Sequence, residues 1–573
     1  MQHALEIPAA PPMGWRSRLG IEHVVMGATV LALLVLVLLP VASLLWGSIR
    51  DEDGFTLEHF RKAFGNRLYF QALRNSLVLG FWVALLSVAL GLPMAWAVSR
   101  TDIPLKGFIR FTATIAYLTP PFLTAIAFVN LFSPNAGLLN RLFRDVLGLD
   151  VLTFNIHSMA GIVLVTVVHT FPYVYLLAAS ALESVDASLE ESARMLGART
   201  WRTALTITAP LVAPSVLAGA LLAFVNAIAL FGSQAIIGLP ARIFTLPTRI
   251  YTLFDYPPQY GLASALSLLF VAITVMALWL QRRYLARRSF TTIAGKGVRP
   301  QLMKLGPARW AVFGFGASVF MVSIVLPYGT LLAVSVSKSW GLDFWRNLTL
   351  ENFRFILVDY DVTRRAIVNS LILASSAATL AVLIGAVIAW MDLRTRIPGR
   401  RFLDYVSLVP LGLPGIVMAV ALIQFWLRAA PALYGTLGIL LLAYVARFIP
   451  LGVRAASASL QQIDPSLEEG ARIAGAGWGQ TMQSVTLPLM RGGLIAGWLL
   501  VFVPAIQELS ASILLFSSSS MTLAVAVYNL YETGYLEPVS ALAIVNMVII
   551  GGAMWLASRA GRRRLGMPAG AAH

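Results

Sequence analysis

No cysteine occurs anywhere in the chain. Disulfides, thiol catalysis and thiolate metal sites are therefore excluded. Charge is scarce as well: Asp, Glu, Lys and Arg make up 12% of the 573 residues, where a soluble chain carries about 25%. Acid is the scarcer sign, with 26 Asp and Glu against 43 Lys and Arg, for a formal charge of +17. The six histidines are scattered, and His3 and His573 lie at the ends. No H-E-x-x-H or EF-hand pattern appears, so a resident metal has no support. Gly295-Lys296-Gly297 lacks the partners of a G-x4-G-K-[ST] phosphate loop, and no such loop occurs elsewhere. The chain is expected to hydrolyse no ATP itself, to carry no cofactor and to be no enzyme.

What the chain has is apolar length. Residues of apolar type make up 58%, against roughly 45–50% in soluble proteins. A transmembrane helix needs about 20 such residues. Suitable runs lie at 23–48, 74–99, 108–133, 159–182, 210–232 and 261–281, then at 309–335, 366–391, 403–427, 434–456, 488–511 and 538–558. Helices are expected because backbone groups in lipid must pair within their own segment, and the alternating ten-residue pattern of a membrane barrel is missing. The first run, Val24 to Trp46, is too long for a signal-peptide core and reads as a retained helix.

Arg and Lys concentrate in alternate loops. One loop holds Arg100, Lys106 and Arg110, and its later counterpart Arg394, Arg396, Arg400 and Arg401. The stretch from Arg282 to Arg309 has eight Lys or Arg and no acid, and the tail carries Arg559 and Arg562-Arg563-Arg564. The last opposite loop has Glu532 and Glu537 without a base. By the positive-inside rule both termini are expected in the cytoplasm. Basic residues so placed face lipid headgroups and cytoplasm, and nucleic-acid binding is set aside.

The chain repeats itself. Leu57-Glu58-x-Phe60 returns as Leu350-Glu351-x-Phe353, Asn75-Ser76-Leu77 as Asn369-Ser370-Leu371, and Gly91-x4-Trp96 as Gly385-x4-Trp390. Pro120 matches Pro414 at an offset of 294, while Pro172 matches Pro450 at 278. The second copy therefore lacks 16 residues in the loop after its third helix, a change loops absorb easily. This divides the chain into a first transmembrane domain (1–281), a basic cytoplasmic linker (282–308) and a second transmembrane domain (309–573). The expected fold is all-α and polytopic, with two parallel six-helix repeats.

The sharpest repeat is polar. Glu191-Ser-Ala-x3-Gly197-x9-Ile207-Thr-Ala-Pro210 recurs as Glu469-Gly-Ala-x3-Gly475-x9-Val485-Thr-Leu-Pro488. Ser188 with Glu191, and Ser466 with Glu469, fit a capping box that starts a helix; alternatively Asp464 caps and Pro465 takes the first helical position. Gly197 and Gly475 then stop or bend it. The product is a helix–turn–helix knob, presented twice to one side of the membrane and shaped for docking on a soluble partner.

This loop resembles the E-A-A-x3-G-x9-I-x-L-P motif of permease subunits of bacterial ATP-binding cassette importers, and the double occurrence resembles permeases that carry both transmembrane domains on one chain. Ser192 and Gly470 replace the first Ala, Val485 replaces Ile, and Ala209 replaces Leu. The resemblance implies the type I importer fold in the bacterial inner membrane. It implies that Glu191, Ala193, Gly197, Glu469, Ala471 and Gly475 form coupling helices. It also implies two partners, a homodimer of ATP-binding subunits, which would hold the ATP, and an external solute-binding protein. Phe231-Gly-Ser-Gln-Ala-Ile, Ile250-Tyr251, Glu508-Leu-Ser-Ala-Ser-Ile-Leu-Leu and Leu523-Ala-Val-x-Val-Tyr528 are similar to ferric-iron uptake permeases. Ferric iron is the expected cargo, with thiamine, polyamine, sulfate and phosphonate as alternatives. A transporter driven by an ion gradient would share twelve helices and a repeat, but would not need two docking loops.

Ionisable residues at membrane depth cost about 2.5–3.5 kcal/mol and usually face a cavity or a partner. Arg447 and Glu508 are such residues, with Asn226 and Gln507 in the equivalent fifth helices. Asn226, Ser233, Gln234, Gln507 and Glu508 are candidates for the transport path. Arg447 and Glu508 would equally suit a structural ion pair. His169 stands where Arg447 stands in the second half, and each precedes a proline by three residues, where a freed carbonyl needs a donor.

Overall fold

The computed structural model describes residues 21–51, 53–286 and 302–562. Within them ten helices can cross a bilayer unbroken, and two helix pairs do so only if joined across a bend. The first half runs α1 (His23–Ser48), α2 (Arg67–Arg100), the bent pair α3 (Lys106–Leu118) and α4 (Pro121–Phe132), α5 (Met159–Ser184), the short α6 (Ala187–Met195), α7 (Ala204–Ala229), the short α8 (Gly232–Gly238) and α9 (Tyr260–Arg283). The second half runs α10 (Ala308–Ser335), α11 (Asp361–Arg394), the bent pair α12 (Arg400–Gly412) and α13 (Gly415–Ala429), α14 (Leu437–Leu460), the short α15 (Pro465–Ile473), α16 (Trp478–Ile506) and α17 (Leu536–Leu556).

The runs at 108–133 and 403–427 are thus not single helices. α3 meets α4 at 99°, and α12 meets α13 at 112°. Thr119 and Leu413 precede Pro120 and Pro414 and take extended backbone, with ψ of 124° and 114°. A following pyrrolidine ring disfavours the helical alternative. Pro120 and Pro414, matched by the repeat, mark both sites, and the break at each is complete. The runs at 210–232 and 488–511 also stop early, at Ala229 and Ile506. Leu230 turns extended, and Pro504 sits in the last turn of α16.

Proline also explains where α1, α7, α10 and α16 change pitch. Five-residue π turns at Leu34–Leu38, Ala204–Thr208, Met321–Val325 and Met482–Thr486 each end two residues before Pro40, Pro210, Pro327 or Pro488. The ring clashes with the carbonyl four residues back and offers no N–H. Widening the turn lets carbonyls reach donors one residue further on.

Glycine sets the closest packing. A Cβ on Gly91 would stand 2.8 Å from the Phe171 carbonyl, and one on Gly385 would run into the Gly452 backbone. So α2 lies against α5, and α11 against α14, with backbones in contact. The halves interlock. Ser43 of α1 donates to the Ala421 carbonyl of α13 at 3.0 Å, and Tyr328 of α10 bonds Thr119 at the α3–α4 break at 2.8 Å. The first helix of each half thus packs on the bent pair of the other. Of the basic linker, 287–301 lies outside the described residues. Its end docks on the first half, where Met303 N–H donates to the Arg100 carbonyl (2.9 Å) and Asp102 N–H to the Met303 carbonyl (3.1 Å).

Candidate docking loops and transport cavity

α6 and α15 are built alike. Asp186 and Asp464 accept from the Ser188 and Ser466 backbone N–H groups, each at 2.9 Å. Those bonds hold both aspartate carboxyls below the ordinary carboxylate range. Aspartate, not the Ser–Glu capping box, therefore starts each helix, with Pro465 in the first turn of α15. Each helix ends at a glycine in the left-handed region, Gly197 at φ +81° and Gly475 at φ +87°. The turn closes where Ala198 N–H donates to the Ala193 carbonyl and Ala476 N–H to the Ala471 carbonyl, both at 3.0 Å, as a Schellman turn requires. Glu469 is exposed, whereas the Glu191 side chain lies outside the described residues.

Two features of these loops are not singled out by the motif. Leu189, Met195, Leu467 and Ile473 are exposed apolar side chains, with Met195 and Ile473 83% and 88% exposed. They occupy equivalent positions at the 278-residue offset and give each knob an uncovered apolar tip. Beneath the knobs, Glu190 and Glu468 are buried. Glu190 Oε1 lies 3.4 Å from Arg100 and accepts from Thr208 at 2.7 Å. Glu468 Oε1 lies 3.3 Å from Arg394 and accepts from Thr486 at 3.0 Å. The adjoining Glu191 and Glu469 draw attention away from these positions, though the same offset relates them.

A cavity of about 650 Å³ lies along α16, with Asn226 of α7 and residues of the α3–α4 break, α5 and α14 on its other sides. Along α16 its wall is Gly492, Ile495, Ala496, Leu499, Leu500, Val503 and Pro504, with Gln507 just past the helix end, one stripe at helical spacing. It runs roughly 20 Å, at 1.5 Å per residue, from near the α15 knob to the α16 end. The stripe is apolar until that far end. There Glu508 and Arg447 form an ion pair at 2.9 Å, and Glu508 also accepts from Ala511 N–H at 2.8 Å. His169 bonds the Thr119 carbonyl at 3.1 Å, at the α3–α4 break rather than within its own helix. Gln507 donates to the Leu118 carbonyl of the other half at 3.0 Å. The cavity walls pair by repeat position: Asn226 with Pro504, Leu230 with Glu508, Gly232 with Ser510 and His169 with Arg447. It lies where the two halves meet, with the longer wall from the second half, and repeat-built transporters hold their substrates at such an interface.

The sequence profile described as "binding-protein-dependent transport system inner membrane component" matches residues 87–290 and again 381–565. The chain belongs to this family. It is an all-α, multi-pass inner-membrane permease with two copies of the family domain on one chain, as the loop motif implies. The ferric transport system permease protein FbpB of Actinobacillus pleuropneumoniae is 24% identical over 538 residues, 91% of this chain and 76% of that one. The Fe(3+)-transport system permease protein FbpB 2 of Haemophilus influenzae is 25% identical over 465 residues, 80% and 84% of the two chains. The molybdenum transport system permease protein ModB of Escherichia coli (strain K12) is 31% identical over 219 residues, 93% of itself but 37% of this chain. A relative matched by its whole length thus corresponds to roughly one half of this permease.

Of the five path candidates, Asn226, Gln507 and Glu508 line the permease cavity. Asn226 accepts from Tyr173 at 3.3 Å. Ser233 and Gln234 are fully buried, and Gln234 is bonded to Thr245 and, at 2.7 Å, to the Ala227 carbonyl. Gln234 thus ties α8 to its neighbours, the buried Ser233 hydroxyl makes no hydrogen bond among the described residues, and neither residue is among those lining the cavity. Arg447 and His169, which the sequence suits to structural bonds, make such bonds and face the cavity at once.

Proposed function

We propose that this permease imports a ferric species delivered by an external binding protein. Two copies of one ATP-binding subunit dock on α6 and α15 and hydrolyse the ATP, so that this chain holds neither nucleotide nor cofactor. Both termini and both knobs face the cytoplasm. The observation that carries the reading is a cavity lined by residues of both halves, with a docking knob in each half and the α15 knob toward the cytoplasmic end of the α16 wall. In that orientation the cavity approaches the cytoplasm along α16 and is shut on the outside. The outer closure is the Gln507–Leu118 bond, the Arg447–Glu508 pair and the contact of Gly232 with Phe122 and Leu509, where a Cβ would stand 2.8 Å from Phe122. Movement of the knobs reverses the access. The cargo class rests on the two relatives named as ferric permeases, which align along most of the chain.

The test is uptake in liposomes containing the permease, co-purified ATPase subunits and the co-encoded binding protein. ATP-dependent accumulation of radiolabelled ferric iron, with no accumulation of molybdate, supports the reading. Molybdate uptake would move the assignment toward the ModB relatives. Recovery of the permease without any ATPase would overturn the importer reading itself.

A further inference from the structure

We infer that Arg100–Glu190–Thr208 and Arg394–Glu468–Thr486 are positioning clamps that carry knob displacement to the cavity walls. The inference rests on the importer reading above. Each clamp joins three elements. Arg100 and Arg394 are the last residues of α2 and α11. Glu190 and Glu468 lie in the first turns of α6 and α15. Thr208 and Thr486 close the π turns of α7 and α16, helices that reach the cavity at Asn226 and along Gly492 to Pro504 respectively. In both clamps one carboxylate oxygen, Oε1, receives the arginine and the threonine together. Arg394 also donates to the Leu460 and Ile463 carbonyls at 3.1 and 2.6 Å, and Arg100 to the Val185 carbonyl at 3.3 Å. The arginine thereby fixes the end of α5 or α14 as well.

A buried ion pair is weak evidence for stability, because desolvation offsets most of its attraction. Two of them under otherwise exposed knobs need another reason. The covalent path supplies it. Each threonine follows its glutamate by 18 positions, across a left-handed glycine and a π turn. That path bends easily. The hydrogen bond bypasses it and ties the knob directly to the last residue of the π turn, where the α-helix begins. From there α7 and α16 are continuous to Ala229 and Ile506, beside Leu230 and Glu508 at the far end of the cavity. The cavity walls differ between the halves at 169/447 and 230/508, whereas the clamps are identical in residue type.

The experiment uses the whole complex in liposomes and reads cargo transported per ATP hydrolysed. Thr208→Val with Thr486→Val should retain ATPase binding and hydrolysis while this ratio falls about tenfold, the scale of one hydrogen bond to a charged group. Thr208→Ser with Thr486→Ser should restore it. An unchanged ratio in the assembled valine variant overturns the proposal. So does failure of every valine variant, single or double, to assemble while the serine variants assemble, for the clamps would then serve folding alone. If the unmodified permease retains no ATPase, the importer reading has failed and not the clamp.

Discussion

Glu508 and Arg447 make one pair do two things, and single substitutions separate them. Glu508 is 6% exposed, and removing one partner of a buried pair leaves the other charge uncompensated. Glu508→Leu is expected to lower stability by about 3 kcal/mol, whereas Glu508→Leu with Arg447→Met should cost much less. Thermal unfolding of the four members of that cycle in detergent checks this; equal losses in single and double variants would contradict it. Glu508→Gln keeps an acceptor for Ala511 N–H and is expected to weaken uptake more than folding. Parallel loss of both would leave the carboxylate a purely structural role.

At the scale of elements, the knobs carry two predictions. Space around Gly197 and Gly475 is open, with nothing within 4 Å of an added Cβ. The constraint there is the left-handed backbone, which costs an ordinary residue about 1–2 kcal/mol. Gly197→Val with Gly475→Val is expected to abolish uptake with membrane insertion intact, and Gly475→Asn should retain ATPase subunits better than Gly475→Val. Retention on co-purification measures both. The second concerns Asp464. Its folded-state pKa is depressed by the Ser466 N–H bond, so the cap is fully present above the ordinary aspartate range and is lost as pH falls through the depressed value. Amide exchange at Ser466 should accelerate in that acid window, and Asp464→Asn should remove the dependence. The knobs were readable in the sequence because glycine, proline and aspartate write backbone geometry locally. The breaks at Thr119 and Leu413 were marked by proline but not measurable, since hydropathy sees a run of apolar residues and not its direction. Glu190 and Glu468 were hidden because burial of a carboxylate depends on an arginine about 75–90 residues away in sequence. The cavity was legible as residue types at Asn226, Gln507 and Glu508, yet Ser233 and Gln234 show that polarity near a helix end does not say which way it turns.

For the whole molecule, the interlocked first helices matter most. With α1 on α13 and α10 on the α3–α4 break, neither half buries its surface alone. Chains cut between 287 and 301 and produced together are expected to assemble and restore uptake, while the second half produced alone should be degraded. Membrane yield and uptake of the co-produced halves measure this, and a stable second half alone would refute it. The unlike walls at 169/447 and 230/508 have a consequence for descent. In an assembly of two identical chains, every mutation in the cavity arrives twice, and an arginine would face its own copy across the axis. Joining the copies on one chain lets each position drift by itself, so Arg447 and Glu508 could arise opposite His169 and Leu230 without a second pair to accommodate. His169→Arg with Leu230→Glu would undo that history in a single gene.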